Sequence, residues 1–341
     1  MSRKILLTGA TGVVGLSILE LLDKDDKVHI LTRSKTFNIL PPGVVNQLPG
    51  NICVPDFGLS EAQINSLGSL DFLIHSAALT DFTADADVLS EINMAGLEHA
   101  IALAKKLNVH LIYISTAFVK GRDGHALNNY EDSKRQAEQL LNKSLNKVTV
   151  VRPSVIIGDT KLGIMPKKQG MHNMLKLAIK EVIPVIPGDA KALVDVVPRD
   201  VVAESILTIV DNQLKGEYWI TAGTNSSTLK EMMSMTQDPK IKEKYGFNFK
   251  APKLINPNTF ERLIKPVFMP ALPRRFKRMF EETSIYLKYL DMTEPFPSDI
   301  EKLRSYKNGP KDFNVTDLIA LNIAGFDRVH PLNHNIVEAE Q

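Results

Sequence analysis

The octapeptide TGATGVVG, residues 8–15, constrains the fold more than any other stretch of the chain. It follows the apolar run KILLT (4–8) and opens GVVGLSILELLD (12–23), whose apolar residues recur three and four positions apart. Such a sequence reads as a strand, a tight loop and a helix. Gly9 permits the turn, Gly12 lets a pyrophosphate approach the backbone, and Gly15 lets the helix pack on the sheet. The helix N-terminus adds amide donors and partial positive charge. Thr8, Gly9, Thr11, Gly12, Val13, Val14 and Gly15 are therefore assigned to a dinucleotide cofactor.

The same alternation continues downstream. VHILT (28–32), NICV (51–54), DFLIH (71–75), VHLIYIS (109–115) and VTVVRP (148–153) read as strands, with helical patterns over 85–106 and about 130–143. Continuous apolar strands between amphipathic helices indicate a parallel sheet covered on both faces. The expected fold class is α/β: a Rossmann-type doubly wound parallel sheet with a smaller, mostly helical C-terminal substrate-binding portion. The dinucleotide-binding core is placed at 1–160, with segments of about 190–222 returning to it, among them EYWIT (217–221). The mainly helical portion takes 161–341 and includes helical patterns at 171–182 and 199–212.

Composition narrows the class. Hydrophobic residues at 44% and charged residues at 23% are those of a globular chain. A net charge of +2 is too balanced for nucleic acid to be the main partner. The single cysteine, Cys53, excludes an intramolecular disulfide and fits a reducing cytoplasm. The start MSRKILLTGATG has no secretory pattern, and no run of 18 apolar residues exists, so a soluble cytoplasmic location is expected. No His, Cys, Asp or Glu spacing points to a metal.

The second strand bears on cofactor choice. An NAD site usually carries an acid about 20 residues past the glycine loop. Here Thr32 stands in that place, followed by Arg33 and Ser34. Arg pairs with a 2′-phosphate that a carboxylate would repel, which favours NADP(H) over NAD(H). Asp56, with Phe57 beside it, is a candidate adenine contact, and a turn-forming role suits Asp56 equally.

Further along, NYEDSK (129–134) places Tyr130 and Lys134 one helical turn apart on one face. A free phenol, with a pKa near 10, is a poor proton shuttle at neutral pH. A nearby ammonium, with an oxidised nicotinamide, favours phenolate and brings that value down. Alone, the pair is equally the polar start of a surface helix.

Six motifs in order decide between these readings. TGATGVVG, HSAA (75–78), INMAG (92–96), STAFV (115–119), YEDSK (130–134) and VRPSVIIGD (151–159) make the chain resemble extended short-chain dehydrogenases/reductases over roughly residues 4–220. The resemblance implies Tyr130 as proton donor, Lys134 as its activator and ribose contact, and Thr116 as carbonyl polariser with Ser115 in reserve. It also implies Asn93 as the residue holding a relay water near the lysine. Ser76, Ala77, Ala78 and Val155 count among the cofactor contacts, and Pro153 and Ser154 match the loop at the nicotinamide carboxamide. His75 reads as a packed strand-end residue.

STAFVKG, VRPSVIIGD and DVVPRDVVAESI (195–206) further resemble the male-sterility, NAD-binding branch of fatty acyl-CoA reductases and thioester-reductase domains. That branch implies an NADPH-dependent reductase acting on an acyl thioester (acyl-CoA or acyl-carrier protein) or a derived aldehyde or ketone. Two alternatives stand beside it: a nucleotide-sugar epimerase/dehydratase with tightly bound NAD, and a hydroxy/keto reductase of the steroid or flavonoid type. The expected partner is a small-molecule or carrier-bound acyl substrate. The stretch 260–280, with Arg262, Lys265, Arg274, Arg275, Lys277 and Arg278, suits a peripheral membrane or carrier-protein contact, or equally a solvated helix face. Lys167 and Lys168 either meet a phosphate of CoA or phosphopantetheine or are solvated. A homodimer through the helices at 85–106 and 130–143 is common in the family.

Overall fold

Seven strands form one sheet in the computed structural model, which describes residues 2–121, 125–168, 170–289 and 291–338. They are β1 (Lys4–Thr8), β2 (Lys27–Thr32), β3 (Val44–Pro49), β4 (Phe72–His75), β5 (His110–Ile114), β6 (Val148–Pro153) and β7 (Gly216–Ile220). Their lateral order is β7-β6-β5-β4-β1-β2-β3, and every neighbouring pair is parallel. The order reverses between β1 and β4, so a crevice opens there at the carboxyl ends of the strands.

The central strands are apolar throughout because both faces are covered. Successive side chains point to opposite faces. Ile5, Leu7, Ile30, Ile74 and Ile112 join one apolar cluster with the helices Val13–Leu19 and Arg199–Asp211. Leu6, Leu31, Leu73 and Leu111 join another with the helices Ala95–Leu107 and Asn129–Ser144. Each such side chain contributes about 1.5–3 kcal/mol on burial. A charge placed in these strands needs a buried partner, and Arg152 of β6 has one in Glu138.

Three sequence expectations change. The third strand is Val44–Pro49, not NICV (51–54). At Gly50 the chain is pressed against the Leu31 side chain, and Asn51 N–H donates to the Phe57 carbonyl at 2.9 Å, hooking 51–57 into a turn. The helical pattern 85–106 is broken: Ala86–Leu89 and Ala95–Leu107 are joined through a π-helical turn, Ser90–Met94, that holds Asn93. The first helix ends at Leu19, short of the expected residue 23.

Outside the sheet a third apolar cluster gathers Leu177, Ile183, Phe260, Phe280 and Val315. The stretch 260–280 enters it as short helical pieces, including Lys265–Ala271 and Arg274–Thr283. Phe260, Met269 and Phe280 turn inward, while Arg262, Arg274, Arg275 and Lys277 face solvent. No helix among the described residues is long and apolar enough to cross a membrane.

Candidate active site

The crevice at the strand reversal is a cavity of about 680 Å³ that runs from Gly12 in the glycine loop to Tyr286 and Tyr289 near the C-terminus. Its cofactor end is built by backbone. Gly9 has φ +73, and a Cβ there would lie 2.6 Å from the Ala77 nitrogen. A Cβ at Gly15 would meet the Gly9 carbonyl oxygen and lie 2.7 Å from the Ala10 Cα. Loop, helix and β4 therefore touch directly, as a pyrophosphate cradle requires. The Thr8 hydroxyl braces the joint, lying 3.0 Å from His75 Nδ1 and accepting from Ala77 N–H at 3.2 Å. Burial, with Lys134 adding to it, pushes His75 down to about 3, so this ring is neutral. It packs between Phe57 and Tyr113, as a strand-end histidine.

Of the residues expected from sequence, Gly12, Val13, Val14, Ser76 and Ala78 line one part of the cavity. Ser115, Thr116, Tyr130, Lys134, Pro153, Ser154 and Val155 line another. Thr8, Gly9, Gly15 and Ala77 act one layer back. Arg33 and Ser34 are exposed just past β2, and Arg33 makes no ion pair with a described residue. Asp56 does not face the cavity; its carboxylate pairs with Lys106 at 2.8 Å. Phe57 is fully buried and its N–H donates to the Val54 carbonyl. Both have positive φ, which fits the turn-forming reading of Asp56.

The reacting end comes from the end of β5 and the helix Asn129–Ser144. Asn128 caps that helix by accepting from Glu131 N–H at 3.0 Å, and Tyr130 follows in the first turn. Thr116 caps the next short turn, its hydroxyl oxygen accepting from Phe118 N–H at 3.3 Å. That contact uses a lone pair and leaves the hydroxyl proton for an oxygen in the cavity. Ser115, the reserve choice, has its hydroxyl turned away, donating to Glu138 at 2.5 Å. Glu138 is held in turn by Arg152, whose Nη2 lies 2.6 Å from it, in a buried pair beneath the site.

Lys134 is anchored on β5. Its ammonium donates to the Tyr113 hydroxyl at 3.0 Å and the Ile114 carbonyl at 2.9 Å, and lies 6.0 Å from the Tyr130 ring centroid. Burial lowers it to about 7, against the opposing pull of Glu138. Burial, then Tyr286 and Glu131, pushes the Tyr130 phenol up rather than down. Desolvation disfavours both charges. A raised phenol stays protonated at neutral pH, the form a proton donor needs.

Asn93 is fully hydrogen-bonded within the chain. Its Oδ1 accepts from Leu79 N–H at 2.8 Å, and its Nδ2 donates to the Leu79 carbonyl at 3.1 Å and the Ser133 hydroxyl at 3.3 Å. The amide clamps the chain at Leu79 to the helix of Tyr130.

Sequence reasoning missed an aromatic wall. Phe82 stacks on Tyr130 at 5.0 Å and on Tyr286 at 4.8 Å between ring centroids. Tyr289 donates to Glu131 and accepts from Asn128 Nδ2 at 2.6 Å, tying the Ser284–Tyr289 turn to the start of the tyrosine helix. Lys167 lines the cavity, whereas Lys168 lies 4.0 Å from Asp327 and over the Phe326 ring. Residues 122–124, within the connection from Gly121 to Tyr130, lie outside the described residues.

The fold and crevice resemble those of extended short-chain dehydrogenases/reductases, a class of NAD(P)-dependent oxidoreductases. Within that class, residues 44–206 match the model of the NAD-binding family described as male sterility protein. Among similar curated proteins, fusarin C synthetase of Gibberella moniliformis is 28% identical over 260 residues, 68% of this chain. The chain spans only 6% of that synthetase's length. An N-acetyl-alpha-D-glucosaminyl-diphospho-ditrans,octacis-undecaprenol 4-epimerase of Escherichia coli O157:H7 is 26% identical over 193 residues, covering 52% of this chain and 54% of the epimerase. Among solved structures, the terminal R domain from the myxalamid PKS-NRPS biosynthetic pathway superimposes with a TM-score of 0.75 at 20% identity. That match covers 95% of this chain and 90% of the R domain.

Proposed function

We propose that the protein is an NADPH-dependent thioester reductase that takes an acyl group from CoA or a carrier protein and releases it as the aldehyde. One observation carries the reading: Thr116, Tyr130 and Lys134 line the same cavity as the glycine loop. The cofactor fits a loop that Gly9 and Gly15 let pack directly on neighbouring backbone, where a Cβ has no room. When bound, it supplies the hydride. Gly12, Val13 and Val14 would hold its phosphates, and Pro153, Ser154 and Val155 its nicotinamide end.

The chain's own residues then handle the oxygen. Thr116 donates its free hydroxyl proton as a hydrogen bond to the thioester carbonyl oxygen. Tyr130 hands its proton to that oxygen as negative charge develops there, and Lys134 stabilises the phenolate left behind. The product at carbon is a hemithioacetal. Its C–S bond then breaks, the hydroxyl proton passes to sulfur, and aldehyde and thiol separate. Phe82, Phe118, Tyr286 and Tyr289 offer an apolar wall for the acyl chain, and Lys167 a cation for a phosphate of the pantetheine arm. A carrier protein would meet the exposed basic face of 260–280, and the cytoplasm is the compartment this chemistry suits.

Adding acyl-CoA or acyl-carrier protein to enzyme and NADPH should oxidise the cofactor; no turnover with these or with aldehydes overturns the reading. The epimerase reading has the E. coli relative in its favour and Thr32, in place of a ribose-binding acid, against it. NAD that stays with the purified protein through gel filtration would support it. For cofactor choice, Arg33→Ala should weaken NADPH binding about tenfold and NADH binding little, as a charge-assisted pair with the 2′-phosphate is lost. Fluorescence titration of both nucleotides measures this, and equal effects would remove the assignment.

A further inference from the structure

We propose that Tyr113 is a positioning residue for Lys134, holding its ammonium charged and directed by accepting a hydrogen bond behind the reacting groups. The inference rests on the reductase reading for its consequence in catalysis, but the contact itself is independent of substrate. An ammonium has three donors. Two are taken by oxygens of consecutive β5 residues, the Tyr113 hydroxyl at 3.0 Å and the Ile114 carbonyl at 2.9 Å. The third is left for Tyr130 and the cofactor. Packing fixes Tyr113 in place, because it is 2% exposed and stacks near His75, with its ring centroid 4.6 Å from Nζ. The end of β5 thus grips the lysine through two oxygens.

The other groups facing Lys134 cannot replace that oxygen. His75 on β4 is neutral, and its interaction with the lysine opposes its own protonation. Glu138, one turn further along the same helix, attracts the ammonium but is occupied by Ser115 and by Arg152 of β6. Tyr130 stays protonated. Burial already disfavours the charge, so losing the phenol oxygen shifts the balance further toward the neutral amine. An amine no longer stabilises the Tyr130 phenolate, and turnover falls as pH rises through the Lys134 titration.

Tyr113→Phe keeps the ring and removes only the oxygen. A hydrogen bond to a charged group corresponds to roughly a ten- to hundredfold equilibrium difference, so the Lys134 titration should move down by about one pH unit or more. Competitive acetylation followed by mass spectrometry across a pH series reads that titration in wild type and variant without any substrate. Thioester turnover should fall about tenfold at pH 8 and recover toward wild type near pH 6, with KM for NADPH little changed. An unmoved Lys134 titration overturns the proposal. A shifted titration in a protein that turns over no thioester supports Tyr113's role and rejects the reductase reading instead. If Tyr113→Phe folds poorly, Lys134→Arg serves as the second variant. Arginine stays charged without help, so turnover that loses the high-pH fall supports the proposal, and an unchanged profile counts against it.

Discussion

Tyr130→Phe lowers the rate of hydride transfer by about 10²–10⁴-fold, the contribution of a positioned general acid, while NADPH binding and stability stay near wild type. The substitution is isosteric. It keeps the ring stacked on Phe82 and removes a hydroxyl that faces the cavity, so no buried partner is stranded. The first-turn place in the helix capped by Asn128 is equally suited to phenylalanine. Stopped-flow measurement of NADPH oxidation on mixing with thioester isolates the chemical step from product release. A variant within about threefold of wild type, well short of a general acid's contribution, would mean that another group delivers the proton and that Tyr130 only walls the site.

The second large effect is on stability. Arg152→Met should cost about 3–5 kcal/mol, the usual consequence of stranding a buried charge. Arg152 donates to both carboxylate oxygens of Glu138, lies 2.7 Å from Glu217, and covers the Trp219 ring at 4.8 Å. Without it Glu138, 8% exposed between sheet and helix, keeps only the Ser115 hydroxyl as a donor among the described residues. The carboxylate then takes up a proton, so the deficit should shrink as pH falls. Replacing both partners by apolar residues, Glu138→Met with Arg152→Met, should recover most of the loss, because no charge is left buried. Urea unfolding of the two variants across pH measures all three statements. A single variant costing under about 1 kcal/mol, the range of an exposed pair, would show that the two groups are solvated in solution.

The sheet was legible in the sequence because its strands are buried on both faces and therefore read as unbroken apolar runs. The third strand was misplaced because VVNQLP and NICV are similarly apolar, and the packing of Gly50 on Leu31 chooses between them. The glycine loop could be read because its requirements are local: Gly9 and Gly15 face backbone with no room for a Cβ. The long-range contacts could not. Tyr289 reaches Glu131 across 158 positions and Tyr113 meets Lys134 across 21, and no periodicity announces either. Arg152 was different. An arginine inside the apolar run VTVVRP was itself a signal that a buried acid must lie nearby, and Glu138, one helical turn past Lys134, was within reach of that inference. Asn93 shows the converse: a family motif located the residue, but its hydrogen bonds to Leu79 define a clamp that the motif alone did not reveal.

In the proposed reaction this crevice delivers a hydride to a thioester carbon and a proton to its oxygen. NADPH deuterated at the transferable position, incubated with the protein and an acyl-CoA or acyl-carrier thioester, tests it most directly by mass spectrometry of the products. The expected product is an aldehyde, or the alcohol from its further reduction, carrying deuterium on the former carbonyl carbon, together with free thiol in equal amount. Unlabelled product, or intact thioester beside a protein that binds NADPH normally, would contradict it.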